Sequence, residues 1–188
     1  MKKQIIWLVV LLTTITVNES FAQSGMRYPY MQSGKIIVNR DVRGGVKESL
    51  LHRKWDVSNP IPVHNEQSAA NAVSAKFEVA TSDCNSSNAP GVAQSSGKYT
   101  WANAGRACAA YRQSDADAGS WRLPTQRELM LMWIYKDELG NFASSRYWSA
   151  TENSNDANNA WPVNFDDGVT GSYGSKTTAH SVRCVRDL

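Results

Sequence analysis

The chain has 188 residues, with 20 lysines and arginines against 17 acidic side chains and a formal net charge of +3. This near balance, without a block of basic residues, excludes the electrostatic footprint of a dedicated nucleic-acid-binding protein. Seven tryptophans are many for this length. Since burying aromatic rings contributes a large favourable free energy, most of them are expected in the core.

Residues 1–22 have the pattern of a secretory signal peptide. Lys2 and Lys3 precede an apolar run over residues 5–12, and Ala22 suits the cleavage site. The apolar run is too short for a comfortable membrane span, so we expect an exported chain in the periplasm, at the outer surface or outside the cell. A retained membrane anchor is the alternative. Cleavage leaves about 166 residues, enough for one domain with a substantial core.

Residues 23–98 are interpreted as an N-terminal extension that carries the first strands of the domain. Residues 23–32 show no hydrophobic period and are expected to form a loose leader. Strands are predicted at residues 35–39 and 76–80 from β-branched composition and alternation. Residues 83–97 are rich in Ser, Asn, Gly and Pro and are expected to form a long exposed loop.

Between these strands the sequence is less decisive. Residues 46–55 fit either a strand or a short helix. Prolines at 60 and 62 exclude regular helix because each removes a backbone donor and restrains the preceding residue. The alanine-rich residues 66–74 fit a short helix.

A helix is predicted over residues 101–111, with Thr100 as its N-cap. Trp101, Ala104, Cys108 and Tyr111 recur at spacings of three and four and therefore share one face. Cys108 is consequently expected to point into the core. Asp115 and Asp117 follow in residues 114–120 and are expected to be solvated in a loop.

The central helix begins after Pro124. Thr125 and Glu128 form a capping box, in which the hydroxyl and the carboxylate each accept a hydrogen bond from the other residue's backbone N–H. Every residue over 129–135 is apolar or aromatic, so we expect this helix to be buried on more than one side. Gly140 suits the left-handed position past the helix end.

Short strands are predicted after this helix at residues 147–151, 160–165, 169–173 and 181–186. Asp166, Asp167 and Gly168 form a hairpin turn between the second and third of them. Pro162 cannot donate to a strand ladder and should lie at an edge or a bulge. Helices combined with antiparallel hairpins define an α+β domain, whose core we assign to residues 99–188.

Three cysteines follow the predicted cleavage site: Cys84, Cys108 and Cys184. Three pairings are possible, and sequence spacing alone does not choose among them. We favour Cys108 with Cys184, because the helix face and the terminal strand that carry them should both look inward. Closing a loop of about 75 residues contributes roughly 4 kcal/mol in the chain-entropy model. Cys84, in a polar stretch, is then expected to be a free surface thiol, with intermolecular pairing as the alternative.

The ordered motifs of the second half resemble a known family. They include Cys108, Trp121 to Thr125, residues 147–151, Ala160-Trp161, Phe165 with Gly168, and residues 182–186. Together they resemble the Lcl C-terminal-like domain, a bacterial domain of unknown function whose fold is of the C-type-lectin and sulfatase-modifying-factor kind. The resemblance spans residues 99–188. Similar domains accompany fimbrial tip and other surface proteins in gut Bacteroidota.

The resemblance implies a C-type-lectin-like fold, with a twisted antiparallel sheet, two flanking helices and a helix cysteine bonded to the last strand. It does not imply calcium, because the Glu-Pro-Asn or Gln-Pro-Asp triplet and the Trp-Asn-Asp run of calcium-dependent lectins are absent from the sequence. Formylglycine-generating chemistry is not implied either. That reaction uses a pair of cysteines in the site, and the favoured pairing leaves a single thiol.

Residues 151–159 are the most polar stretch of the chain. Amides and carboxylates between two tryptophan-bearing strands can hydrogen-bond sugar hydroxyls or bind a hard cation, although a solvated loop explains the composition equally well. The predicted ligand-binding residues are Glu152, Asn153, Asn155, Asp156, Asn158, Asn159 and Trp161. Trp148 is the other candidate stacking platform, and both tryptophans also suit the core.

Other polar residues receive simpler interpretations. Asn164, Asp166 and Asp167 are explained by turn chemistry, and His52, His64 and His180 lack metal-ligand spacing. The sequence contains no nucleophile elbow, phosphate loop or paired catalytic carboxylate. We therefore predict no catalytic residue, cofactor or bound metal.

Three functional hypotheses follow. The first is an exported, non-enzymatic binding or adhesion module, such as a fimbrial accessory protein that recognises a glycan or a surface protein. The second is an enzyme of the sulfatase-modifying kind, which would need Cys84 as its reactive centre. The third is a structural envelope subunit without selective binding.

Overall fold

A computed structural model describes residues 29–38, 73–153, 155–170 and 174–188. Its strands are β1 (Tyr30–Gln32), β2 (Lys35–Ile37), β3 (Lys76–Val79), β4 (Arg146–Glu152), β5 (Asn159–Asn164), β6 (Gly174–Ser175) and β7 (Val185–Asp187). Its helices are α1 (Trp101–Ala110), α2 (Gln126–Ile134) and α3 (Lys136–Leu139), with a 3-10 turn at Asp115–Asp117. The predicted α+β class is confirmed.

The strands form two antiparallel sheets, with the orders β1-β2-β3-β7 and β4-β5-β6, where the resemblance implied one twisted antiparallel sheet. The first sheet joins chain segments far apart in sequence, since β3 pairs with β7 with Val79 opposite Val185. Its buried residues alternate along β3, where Phe77 and Val79 are buried and Lys76 is exposed. Alternation of this kind is expected of a strand that buries one face.

The second sheet contains the proline predicted to lie at an irregularity. Pro162 is paired opposite Trp148, and the register between β4 and β5 then shifts before Glu152 pairs with Ala160. Within the described residues, strand β6 pairs with β5 at Asn159 and Ala160. The register shift that follows the Pro162–Trp148 pair confirms that this proline lies beside an irregularity.

Helix α2 begins as predicted. The Thr125 hydroxyl accepts a hydrogen bond from the Glu128 backbone N–H at 3.3 Å, and the Glu128 carboxylate accepts one from the Thr125 N–H at 2.9 Å. The helix ends at Ile134, α3 follows, and Gly140 adopts a φ of 66° past its end. The capping box and the terminal glycine are both confirmed.

The prediction that this apolar helix is buried on more than one side needs correction at its C-terminal end. Leu129 and Met132 are fully buried, but Ile134 is 59% exposed. Met130 and Trp133 are partly buried. The apolar run therefore overstates burial at Ile134.

Helix α1 carries the predicted inward face. Trp101, Ala104, Cys108 and the following Tyr111 are all buried. Cys108 is bonded to Cys184 at an S–S distance of 2.08 Å, which confirms the favoured pairing. Thr100 occupies the cap position, but its side chain makes no capping hydrogen bond.

The buried residues form two clusters. One joins α1 with Trp121, Leu123, Trp148 and the disulfide. The other joins the first sheet and α2 with Tyr147 and Val163 of the second sheet. Trp148 is fully buried, and Trp101 and Trp121 are at most 3% exposed. The expectation that most tryptophans are core residues therefore holds for these three.

Several loop predictions need correction. Residues 30–32 of the predicted leader form β1. Asp117 is only 8% exposed, because its carboxylate accepts hydrogen bonds from the backbone of Gln113 and Ser114.

The turn at Gly168 is present with a φ of 76°, but residues 169–170 after it are not a strand. The last strand is shorter than predicted and starts at Val185.

The predictions for the signal peptide and for residues 39–72 lie outside the described residues. Among the residues that are described, no helix has the length and apolar character needed to cross a bilayer.

Candidate functional site

The predicted ligand-binding segment connects β4 to β5 and is held by its own hydrogen bonds. Asn153 Oδ1 accepts from the Asn155 N–H at 3.0 Å, and Asp156 Oδ1 accepts from the Asn158 N–H at 2.9 Å. The Asn153 N–H donates to the Asn159 carbonyl at 3.1 Å and closes the loop. Asx turns of this kind fix a loop that lacks regular secondary structure.

Both carboxylate oxygens of Asp156 accept hydrogen bonds within this loop. Its second oxygen, Oδ2, accepts from the Asn159 side-chain amide at 2.7 Å. The carboxylate therefore fixes the turn, and these internal hydrogen bonds define the geometry of the loop.

The two residues at the start of the segment are buried. Glu152 and Asn153 are each 3% exposed. Glu152 Oε1 lies 3.6 Å from Lys176 Nζ. These two predicted site residues thus support the loop from beneath.

Lys176 connects this loop to helix α1. Its ammonium donates to the Ala157 carbonyl at 2.5 Å and lies 4.2 Å from the centroid of the Trp101 ring. The Trp101 indole N–H in turn donates to the Ser149 carbonyl of β4 at 2.8 Å. The sequence does not signal Lys176 or Trp101 as parts of this region, because no local motif reports contacts between segments this far apart.

The outer surface of the loop is formed by the remaining predicted residues. Asn155 and Asn158 are exposed, and Asp156, Asn159 and Trp161 are partly exposed. Trp148, the alternative stacking residue, lies in the core instead. Five of the seven predicted residues are therefore at least partly exposed, three of them in the loop and two in β5.

A comparison with known protein families finds a match over most of the described core. The model of the Lcl C-terminal domain matches residues 63–186. The chain belongs to the Lcl C-terminal domain family. No curated protein matches the chain.

The Lcl C-terminal domain match begins earlier than the resemblance drawn from the motifs, which started at residue 99. It includes β3, which pairs with β7 at the chain's end, and Cys84, which lies beside the disulfide. Residues 76–98 are therefore structurally continuous with the second half of the chain.

Cys84 is not a surface thiol. It is 1% exposed, and its sulfur lies 3.2 Å from that of Cys184. Burial, and secondarily the charge of Asp83, raises the pKa of the Cys84 thiol above its ordinary value. The polar sequence around Cys84 concealed its inward orientation, since the neighbouring Ser82, Asn85 and Ser86 are exposed as expected.

Within the described part of the chain, the three cysteines are also a group whose sulfurs lie close enough together to be considered as metal ligands. Their sulfurs all lie within 4.8 Å of one another. Two of the three are joined in the disulfide and do not offer thiolates in this form. His52 and His64 lie outside the described residues. His180 is partly buried, with its ring 4.4 Å from that of Trp148.

A depression that the sequence analysis did not predict lies beside helix α3. It has a volume of about 270 Å³, and its lining residues are Lys136, Asp137, Gly140, Asn141, Phe142, Ala143, Ser144 and Phe165. The Phe142 ring is stacked with Phe165 and also contacts the Arg183 guanidinium, 4.1 Å from its centroid. Those contacts occupy the aromatic ring, so the depression presents mainly polar groups to a ligand.

Proposed function

We propose that this Lcl C-terminal domain protein is an exported, non-enzymatic binding module. It recognises a glycan or a partner protein through the surface of loop 152–159 and Trp161. The observation that carries this proposal is the self-supporting loop, in which Asn153 and Asp156 form internal turns. Asn155 and Asn158 stand on its exposed side.

A loop ordered in advance suits recognition. Ordering flexible side chains and loops on binding costs free energy, and a loop that is already fixed by internal hydrogen bonds avoids part of that cost. Carboxamide side chains such as that of Asn158 provide both donors and an acceptor, which matches sugar hydroxyls. A partly exposed indole such as that of Trp161 adds apolar contact next to them.

The proposal extends to the fold class and the location. A C-type-lectin-like fold is supported by the antiparallel sheets, the two longer helices and the disulfide between α1 and the segment before β7. Export is supported by the signal-like residues 1–22 and by the disulfide, which is typical of an oxidising compartment. A role as a fimbrial or other surface accessory protein follows from the resemblance.

The non-enzymatic part of the proposal is supported by the state of Cys84. An activated cysteine nucleophile is partly exposed and has a lowered pKa. Cys84 is buried, and its surroundings raise the pKa of the thiol. A sulfatase-modifying activity that depends on this thiol is disfavoured for the same reasons.

Binding by the chain without residues 1–22 tests the proposal. We expect the purified protein to bind a subset of glycans on an array, or to capture a defined surface protein from envelope extracts. Binding should be lost in the Asn158→Ala/Trp161→Ala variant. Absence of both glycan binding and a captured partner would contradict the proposal.

A further inference from the structure

The free cysteine lies against the disulfide. Cys84 Sγ is 3.2 Å from Cys184 Sγ, and the sulfurs of Cys84, Cys108 and Cys184 all lie within 4.8 Å of one another. Each of the three residues is at most 1% exposed. Cys184 therefore has two sulfur neighbours, of which one is bonded to it and the other is a thiol.

The backbone fixes the position of the thiol. The Cys84 N–H donates to the Val182 carbonyl at 2.8 Å, and the Ala80 N–H donates to the Cys184 carbonyl at 2.9 Å. These two hydrogen bonds lie on either side of the sulfur contact. They hold the chain that carries Cys84 against the chain that carries Cys184.

An ion pair between the preceding residues adds to this alignment. Arg183 Nε donates to Asp83 Oδ1 at 2.7 Å, so the side chains that precede the two cysteines are also in contact. The Arg183 side chain is fully buried, and its Nη1 also donates to the Ala80 carbonyl at 3.1 Å. Because backbone and charged groups both place Cys84, its sulfur contact is part of the fold.

We propose that Cys84 is a second disulfide partner for Cys184, so that the domain can exchange the Cys108–Cys184 bond for a Cys84–Cys184 bond. In the exchange Cys84 loses its thiol proton, and the thiolate attacks Cys184 Sγ. The bond between Cys184 and Cys108 breaks, and Cys108 leaves as a thiolate that takes up a proton. The step is a thiol–disulfide exchange without net oxidation, so it needs no external oxidant or reductant.

The exchange moves the covalent attachment from one element to another. In the present form the disulfide ties helix α1 to the segment before β7. In the exchanged form it ties the segment after β3 to that same segment, and α1 is held by the packing of its buried face alone.

The surroundings keep this exchange slow in the folded state. Only the thiolate attacks a disulfide, and burial together with Asp83 favours the protonated thiol, although the charge of Arg183 acts in the opposite direction. Burial, and secondarily the nearby Cys84, likewise raises the pKa of the Tyr99 hydroxyl, which has no hydrogen-bond partner among the described residues. Exchange should therefore become faster at alkaline pH.

The Cys108→Ser variant tests the pairing directly. When the variant is oxidised with glutathione disulfide, we expect its two remaining thiols to form the Cys84–Cys184 bond, which non-reducing peptide mapping identifies. The folded variant would then contain no free thiol. Two free thiols, or glutathione attached to either cysteine in a folded variant, would overturn the proposal.

The unmodified chain provides a second test that does not depend on how well this variant folds. The protein is held at alkaline pH, quenched with acid, unfolded, and alkylated under acidic conditions that prevent further exchange. We expect alkylation at Cys108 to increase with incubation time while alkylation at Cys84 decreases. Alkylation confined to Cys84 at every time would overturn the proposal. The Cys84→Ser variant is the matched control and should not be alkylated.

Discussion

Arg122 forms a bidentate ion pair with Glu128 of the first turn of helix α2. Arg122 Nη1 donates to Glu128 Oε2 at 2.7 Å, and Nη2 donates to Oε1 at 2.9 Å. The Glu128 side chain is fully buried, and that of Arg122 is 10% exposed. Arg122 Nη2 also donates to Asp187 at 2.6 Å. The capping residue of α2 is therefore connected through one arginine to the last strand.

Removing this arginine should strongly destabilise the domain. Arg122→Met leaves the Glu128 carboxylate buried without its cation, and breaking a buried pair in this way costs about 3–5 kcal/mol. We expect a corresponding loss in the free energy of unfolding measured with urea. Arg112→Met, at an exposed arginine, is the control and should change it by less than about 0.5 kcal/mol. Equal effects of the two substitutions would contradict the structural role of Arg122.

Gly168 should be more sensitive to substitution than another glycine with the same backbone conformation. A Cβ at Gly168, where φ is 76°, would lie 2.8 Å from the Trp133 ring, whereas at Gly91, where φ is 77°, no atom lies within 4 Å. Both alanine variants carry the cost of positive φ, about 1–2 kcal/mol. Overpacking against the Trp133 ring should lower the free energy of unfolding of Gly168→Ala by about 1 kcal/mol more. Matching urea midpoints for the two variants would rule out the close contact.

His180 should make the domain less stable in mild acid. Burial, followed by the charges of Arg146 and Lys98, lowers the pKa of His180 from 6.5 to about 4. Since the unfolded state binds the proton more readily, the neutral histidine contributes stability above pH 6.5. That contribution is lost as the pH falls from 6.5 towards 4.

The test compares urea midpoints of the unmodified chain and His180→Gln across this range. As the pH falls, the urea midpoint of the unmodified chain should decrease relative to that of the variant, because glutamine does not titrate. Carboxyl groups such as Asp117, whose pKa is lowered, affect both proteins equally. A difference that does not vary with pH would show that His180 has no such effect.

The disulfide should contribute strongly to stability once the alternative pairing is removed. In a Cys84→Ser background, the further change Cys108→Ser opens a loop with a sequence separation of 76 residues. The chain-entropy model then gives a loss of about 4 kcal/mol. Urea unfolding of the single and double variants measures this difference. A difference near zero would mean that the bond does not stabilise the fold.

Local sequence signals predicted the parts of the fold that depend on neighbours in the chain. Thr125 and Glu128 are three residues apart, and their capping box is present. The inward direction of Cys108 followed from helical spacing. Such signals succeed because the interacting groups are brought together by one turn of helix.

The parts that the sequence did not predict depend on distant segments. The burial of Cys84 is fixed by contacts with residues 182–184, and Lys176 supports the loop by reaching Glu152 and Ala157. Ile134 remains exposed although its sequence neighbours are apolar, because sequence hydrophobicity does not specify how many faces of a helix are covered. Five predicted loop residues reach the surface, and composition alone could not separate them from the buried Glu152 and Asn153.

The most direct test of the account measures where the ligand binds. The best glycan or protein partner from the binding screen is titrated calorimetrically against the unmodified chain, the Asn158→Ala/Trp161→Ala variant and the control Ser86→Ala, which alters an exposed residue of another loop. We predict an affinity loss of about tenfold or more for the loop variant, with unchanged binding by the control. Equal affinity of all three proteins would contradict the assignment of the binding surface to loop 152–159 and Trp161.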